Sequence, residues 1–199
     1  MLSLARSVPG FLPEAEGVAL HEAALRAAGR GPLLEIGGYC GRSAIYLGTA
    51  ARARGTVLFS VDHHRGSEEH QPGGSYHDPS LIDGGGRVDT LPHFRRTIAR
   101  AGLEDTVIAI VGRSETVAEW WRTALGLVFI DGGHGEEAAR GDYQGWTPHL
   151  AAGAVLAIHD VFSDPADGGQ APFRIYRRAL GDGFQEMSAT GSLRVLWRG

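Results

Sequence analysis

The sequence predicts an α/β protein: a mostly parallel sheet covered by helices on both faces and closed by an antiparallel hairpin. Three observations carry this. Short apolar runs alternate with helical apolar periodicity along most of the 199 residues, and such alternation demands parallel strands joined by crossover helices. The strand candidates end at Glu35-Ile36-Gly37, Asp62, Gly112-Arg113-Ser114, Asp131 and His159-Asp160; in an open parallel sheet, ligands gather at these carboxyl ends. The last two apolar runs flank Thr190-Gly191, which suits a hairpin turn.

Each element follows from its pattern. After an arm at residues 1–13, residues 14–29 read as a helix with Val18, His21, Leu25 and Ala28 as its stripe. Residues 33–36 form the first strand, and Ala44, Leu47 and Ala51 give the next helix its buried side. Residues 56–61 form the second strand, closing on Asp62. Residues 63–86 carry Pro72, Gly73-Gly74, Pro79 and Gly84-Gly85-Gly86 with little apolar pattern. A long loop within a compact domain is usually functional, so an active-site loop is expected there. Leu91, Phe94, Ile98 and Ala101 mark a helix, 107–111 the third strand, and a helix then runs from Ser114 through Trp120 and Trp121. Residues 125–130 are the fourth strand. Ala139, Tyr143, Trp146 and Leu150 stripe the following helix, and 155–158 are the fifth strand. Phe173, Tyr176 and Leu180 mark the last helix, before hairpin strands at 185–189 and 193–197. Trp120, Trp121 and Trp146 are expected in the core, because aromatics at helical spacing usually pack there.

Length and composition fit one domain with a substantial core. Lys and Arg together number 19 against 23 Asp and Glu, and no basic block stands out, which argues against a nucleic-acid partner. Cys40 is alone, so an internal disulfide is excluded and a reducing compartment fits. No apolar run approaches a membrane span and residues 1–13 lack a signal-peptide build. The expectation is a cytoplasmic protein without a membrane partner. Leu2, Leu4, Phe11 and Leu12 in the arm are expected to contact a second subunit of a homodimer or to close a pocket.

The most informative stretch is Leu33-Leu34-Glu35-Ile36-Gly37-Gly38-Tyr39-Cys40-Gly41-Arg42-Ser43. It reads as strand, tight turn and helix, the geometry that brings backbone N–H groups against a ligand. Glycine removes the side chain that would block the approach and tolerates positive φ. Glu35, inside the strand end, is placed to meet a cationic ligand. The spacing is not G-x-G-x-x-G, which argues against a nicotinamide dehydrogenase.

Here a resemblance enters. Glu35-Ile36-Gly37-Gly38-Tyr39-Cys40-Gly41, followed by Phe129-Ile130-Asp131-Gly132-Gly133-His134 and Leu156-Ala157-Ile158-His159-Asp160, resembles class I S-adenosylmethionine (SAM)-dependent methyltransferases, in the small-molecule O-methyltransferase branch. It implies a Rossmann-like seven-stranded sheet with the last strand antiparallel. It also implies a SAM site: Gly37, Gly38 and Gly41 bordering the methionine part, Asp62 holding the ribose, Arg113 and Ser114 near the adenine, and Glu35, Tyr39, Ser43, His63 and Asp131 as further cofactor-binding residues. Ser114 is expected as a helix N-cap.

Methyl transfer to a hydroxyl needs alignment and removal of a proton, by a general base or a metal. His134 is the leading base, followed by His64 and His159. The resemblance implies a divalent-cation site at Asp131, His159 and Asp160, with His159 shifting preference from magnesium toward manganese or zinc. Arg65, Glu68, Glu69 and His77 suit a hydroxyl-rich or charged acceptor, a sugar or glycan among them. The rival readings are a metal-dependent hydrolase and a SAM-binding protein without catalysis.

Overall fold

The computed structural model describes residues 2–133 and 135–199. Seven strands form one sheet: β1 (Leu33–Ile36), β2 (Leu58–Asp62), β3 (Val107–Val111), β4 (Leu125–Ile130), β5 (Leu150–Ile158), β6 (Gln185–Thr190) and β7 (Leu193–Trp197). Their spatial order is β3-β2-β1-β4-β5-β7-β6. The first five run parallel, and β7 and β6 close the sheet antiparallel. The chain starts in the middle, winds outward to β3, and returns to β4 beside β1. That reversal opens a crevice at the carboxyl ends of β1 and β4.

Helices α1 (Glu14–Ala27), α2 (Arg42–Ala53) and α3 (Leu91–Arg100) cover one face. Helices α4 (Ser114–Trp120), α5 (Glu136–Trp146) and α6 (Ala171–Gly181) cover the other. β1 and β4 are buried along their whole length, as central strands of a doubly covered parallel sheet must be. No helix among the described residues is long and apolar enough to cross a membrane.

Several expectations are corrected. The buried side of α1 is Glu16, Gly17, Leu20, Ala23, Ala24 and Ala27, while Val18 is exposed. Close packing on α2 sets this rotation: a Cβ on Gly17 would lie 2.3 Å from the Tyr46 ring. The α6 stripe is likewise displaced to Ala171, Pro172, Ile175 and Ala179, leaving Leu180 exposed. Trp120 is 74% exposed. It ends α4, and the chain turns there so that Trp121 packs edge-on against the buried Trp146, ring centroids 5.4 Å apart. β2 begins at Leu58 and β5 already at Leu150, its ladder accommodating a register shift near Leu125 and Leu127.

The loop at 63–86 contains two 3₁₀ turns, Glu68–His70 and Pro79–Leu81, and an isolated bridge between Ile82 and Val88. Arg65 fastens it, donating from Nη1 to Asp83 Oδ2 at 3.0 Å and to the Val88 carbonyl at 3.2 Å. The arm folds back onto the same chain. Ala5, Val8 and Leu12 join the core, and Arg42 at the start of α2 donates to the carbonyls of Val8 (2.9 and 2.6 Å) and Leu12 (3.1 Å).

Candidate functional site

β1 runs into a glycine elbow that side chains would obstruct. A Cβ on Gly37, at φ +91°, would sit 2.1 Å from the Asp131 carbonyl oxygen, and one on Gly38 would sit 2.5 Å from Ser60 Oγ. Tyr39 follows at φ 45°. Its N–H donates to Asp62 Oδ2 at 2.8 Å, and the His64 N–H donates to Asp62 Oδ1 at 2.7 Å. The carboxylate at the end of β2 is thus fixed beside the elbow, and each oxygen keeps acceptor capacity to spare. Among the described residues, the non-glycine residues at positive φ are Tyr39, His64 and Asp160. All three follow or end strands at the carboxyl edge of the sheet, and strained backbone of this kind concentrates at functional sites.

Glu35 lies beneath the elbow. Ser43 Oγ donates to its Oε2 at 2.7 Å, while the buried Oε1 has no hydrogen-bond partner among the described residues. Burial pushes this carboxyl up to about 7, against the hydrogen bond from Ser43. Gly41 stands at the N-cap of α2 at φ +92°.

The floor between β4 and β5 is a charge cluster. His159 is 3% exposed. Its Nδ1 lies 2.9 Å from Asp131 Oδ1 and 3.4 Å from Asp160 Oδ2, and its Nε2 lies 2.7 Å from Glu16 Oε2. Ionised carboxylates only accept, so both ring nitrogens donate and the ring is an imidazolium. Burial opposes the charge, but Asp131 and the hydrogen bonds to Asp131, Asp160 and Glu16 outweigh it and raise the ring to about 12. Ligand atoms of Asp131, His159 and Asp160 lie within 4.8 Å of one another, close enough to surround a cation. The donor set works against one, because the ligating nitrogen would first have to lose the proton it shares with Asp131.

Gly37, Gly38, Tyr39, Ser43, Asp62, His63, Arg113, Ser114, Asp131 and Asp160 line one cleft of about 1120 Å³. Glu35, Gly41 and His159 sit behind its wall. So does His64, which is 2% exposed, has its Nδ1 2.8 Å from Thr90 Oγ1, and packs its ring on Phe94. Burial lowers its pKa, so His64 is a neutral packed side chain that does not face the cleft. His134 lies outside the described residues. Ser114 is the first residue of α4 rather than its cap, which is Arg113; its Oγ accepts from Trp146 Nε1 at 2.7 Å. Asp131 and Asp160 cap no helix either: the caps of α5 and α6 are Gly135 and Gln170.

Sequence reasoning named Phe11 as an arm residue that contacts a second subunit or closes a pocket, and missed Glu16, Asp142, Arg42 and Tyr76. Glu16 hides in a helical pattern whose polar positions look solvated. Asp142 is buried beside Gly132, and burial pushes it up to about 6. Only the tertiary fold brings Asp142, Arg42 and Tyr76 to the cleft and Glu16 beneath its floor.

The fold recurs among solved structures. The O-methyltransferase TomG from Streptomyces achromogenes, solved in complex with SAM, is 18% identical with a TM-score of 0.66, covering 100% of this chain and 89% of that one. The O-methyltransferase NovP is 15% identical with a TM-score of 0.69, over 95% of this chain and 83% of that one. CalS11, described as a TDP-rhamnose 3'-O-methyltransferase of calicheamicin biosynthesis, is 15% identical with a TM-score of 0.65, over 94% and 82%. These likenesses establish the shared architecture. Residues 34–161, which hold the elbow, Asp62 and the Asp131–His159 floor, match the family described as "Methyltransferase domain", and the chain belongs to that family.

Proposed function

We propose that this methyltransferase uses SAM and methylates a hydroxyl oxygen of a small acceptor. The observation that carries this is the Asp62 carboxylate, held by two backbone N–H groups beside an elbow where glycine alone fits. SAM, when bound, supplies a methyl group on a sulfonium, an electrophile with its leaving group built in. The chain's own residues hold and align. Asp62 has lone pairs left for two ribose hydroxyls. Gly37 and Gly38 clear space for the methionine chain, and Glu35 braces the elbow from beneath through Ser43. The turn at Arg113 and Ser114 borders the same cleft at the end of β3.

Asp131 and Asp160 accept hydrogen bonds from hydroxyls beside the reacting one and so turn its lone pair toward the methyl group, leaving its own proton for the base; alignment of this kind lowers the barrier. His159 holds Asp131 in place as a fixed positive charge. His64 is packed away from the cleft and His159 is protonated, so His134, three positions after Asp131 in sequence, is the proposed base. No step here runs through a divalent cation. The finer reading is a hydroxylated ring acceptor such as a sugar; the fold shared with CalS11, whose printed acceptor is a sugar, supports it only at the level of architecture.

The test is transfer of isotope-labelled methyl from SAM to a panel of hydroxylated compounds, with His134→Ala and Asp160→Asn in parallel. Labelled methyl ethers from the native chain, with turnover lost and SAM binding kept in both variants, support the reading. Turnover that survives both substitutions contradicts these roles. SAM bound with no acceptor labelled favours a non-catalytic SAM-binding protein, and hydrolysis without SAM affinity favours a hydrolase.

A further inference from the structure

The outer wall of the cleft carries two groups of side chains that the reading above does not use. The first is aromatic. Phe11 of the arm packs its ring 5.7 Å from Tyr39, 5.8 Å from His70 and 4.9 Å from Tyr76, and Tyr39 lies 5.1 Å from His70, centroid to centroid. Phe11 and Tyr76 remain 54% and 49% exposed and belong to neither core cluster. Large rings gathered at a cleft but outside the core are surface kept for contact.

The second group is acidic. Glu68 and Glu69 share the 3₁₀ turn that carries His70. Among the described residues, nine carboxylates line the cleft against two arginines, Arg42 and Arg113, and the chain has no lysine. Both arginines are engaged: Arg42 by the carbonyls of Val8 and Leu12, Arg113 by Glu115 at 3.6 Å. His159, Arg113 and Arg174 offset Asp131, Glu115 and Glu136. Asp160 also lies 3.4 Å from the His159 imidazolium and burial pushes Asp142 up to about 6, but the lining stays acidic in sum, with Glu68 and Glu137 exposed at its rim. Arg65 and Arg87 line an adjoining depression that shares His63, Gly66 and Arg113 with the cleft; Asp83 holds Arg65 at 3.0 Å and lies 3.9 Å from Arg87 Nε.

We propose that this wall selects acceptors that carry a positive charge beside a ring, namely amine-bearing ring compounds such as amino sugars. The inference rests on the methyl-transfer reading and names its substrate class. An ammonium is drawn to the face of an aromatic ring, and Glu68 and Glu69 on the adjoining turn add charge attraction. The acceptor's ring packs against Phe11 and Tyr76 while its hydroxyl reaches toward Asp131 and Asp160. An acceptor bearing carboxylate or phosphate meets like charge with no uncommitted arginine lining the cleft, and this repulsion gives specificity as effectively as attraction does.

The test uses three probes on one pyranose ring that carry positive, zero and negative charge: the methyl glycosides of glucosamine, glucose and glucuronate. Each is titrated into the full-length chain loaded with S-adenosylhomocysteine and followed by saturation-transfer NMR. The glucosamine glycoside should bind tightest and the glucuronate weakest, with about ten-fold or more between them. The spread should narrow as salt rises from about 0.02 M to about 0.5 M. Glu68→Gln, which removes charge without volume, and Phe11→Ala, at an exposed ring, should each cut the cation's advantage by about three-fold while thermal stability holds. Binding of the glucuronate as tightly as the glucosamine, binding of none of the three, or an order unchanged in both variants overturns the proposal. A parallel SAM titration separates the cases. No SAM binding defeats the methyl-transfer reading itself; SAM binding without the charge order defeats this inference alone.

Discussion

Glu16 Oε2 and His159 Nε2 meet 2.7 Å apart in the protein interior, 143 positions apart in sequence. The Ser192 N–H donates to Glu16 Oε1 at 2.8 Å. Gly191, in the turn between β6 and β7, leaves room for it: a Cβ there would lie 2.1 Å from Glu16 Oε1. First helix, terminal hairpin and cleft floor are therefore tied through one carboxylate. Burial raises the Glu16 pKa, but the hydrogen bonds from His159 and Ser192 and the imidazolium charge bring it below the usual value.

His159 should stay doubly protonated through neutral pH. Its folded pKa of about 12 stands above the ordinary 6.5. Its contribution to stability is therefore complete below pH 6.5 and is lost progressively as pH climbs from there toward 12. Ring ¹⁵N shifts of an imidazolium, unchanged between pH 6 and pH 9, are the expected observation; a midpoint near pH 7 would contradict it. Glu16→Ala, which leaves the ring's charge half-paired, should cost about 3 kcal/mol in urea denaturation.

Glu35 should make the protein less stable as pH rises. Its folded pKa of about 7 exceeds the ordinary 4.5, so the unfolded chain ionises first. The penalty is absent below pH 4.5, grows across the interval, and is complete above pH 7. Glu35→Gln should gain stability relative to the native chain across that window, by a few kcal/mol at most. Parallel stability–pH curves for the two proteins would refute this.

Gly37→Ala and Gly73→Ala make a matched pair. The backbone angles are nearly equal, φ +91° and +90°, but a Cβ at Gly37 meets the Asp131 carbonyl oxygen at 2.1 Å while one at Gly73 meets nothing within 4 Å. Gly73→Ala should cost about 1 kcal/mol of backbone strain. Gly37→Ala should cost more and abolish SAM binding. Equal losses in thermal denaturation would mean that crowding at the elbow is not what demands glycine.

Arg42→Ala should release the arm. The substitution removes donors to Val8 and Leu12 and lets limited proteolysis cut within residues 8–12, where the native chain resists. Arg42→Lys should rescue only partly, because an ammonium cannot reproduce the planar fork. Resistance unchanged in Arg42→Ala would show that packing of Val8 and Leu12 alone holds the arm.

Much of the fold was legible because its signals are local. The alternation of apolar strands with periodic helices, the glycine elbow at Gly37 and the acids at strand ends depend on residues close in sequence. Where the sequence misled, tertiary packing had overridden periodicity. Gly17 against Tyr46 turned α1 so that Val18 faces out and Glu16 faces in, and the end of α4 left Trp120 exposed. In the site, Asp62 and Asp131 were readable as strand-end acids. The states of His64 and His159 were not, since both depend on partners far along the chain: Thr90 for one, Glu16 and Asp131 for the other.

A calorimetric titration of SAM into the native chain and into Asp62→Ala tests the proposed ribose role of Asp62 beside the glycine elbow most directly. One saturable site in the native chain, weakened at least about ten-fold by the substitution, is the result expected. Absence of binding in the native chain, or equal affinity in both, would contradict it.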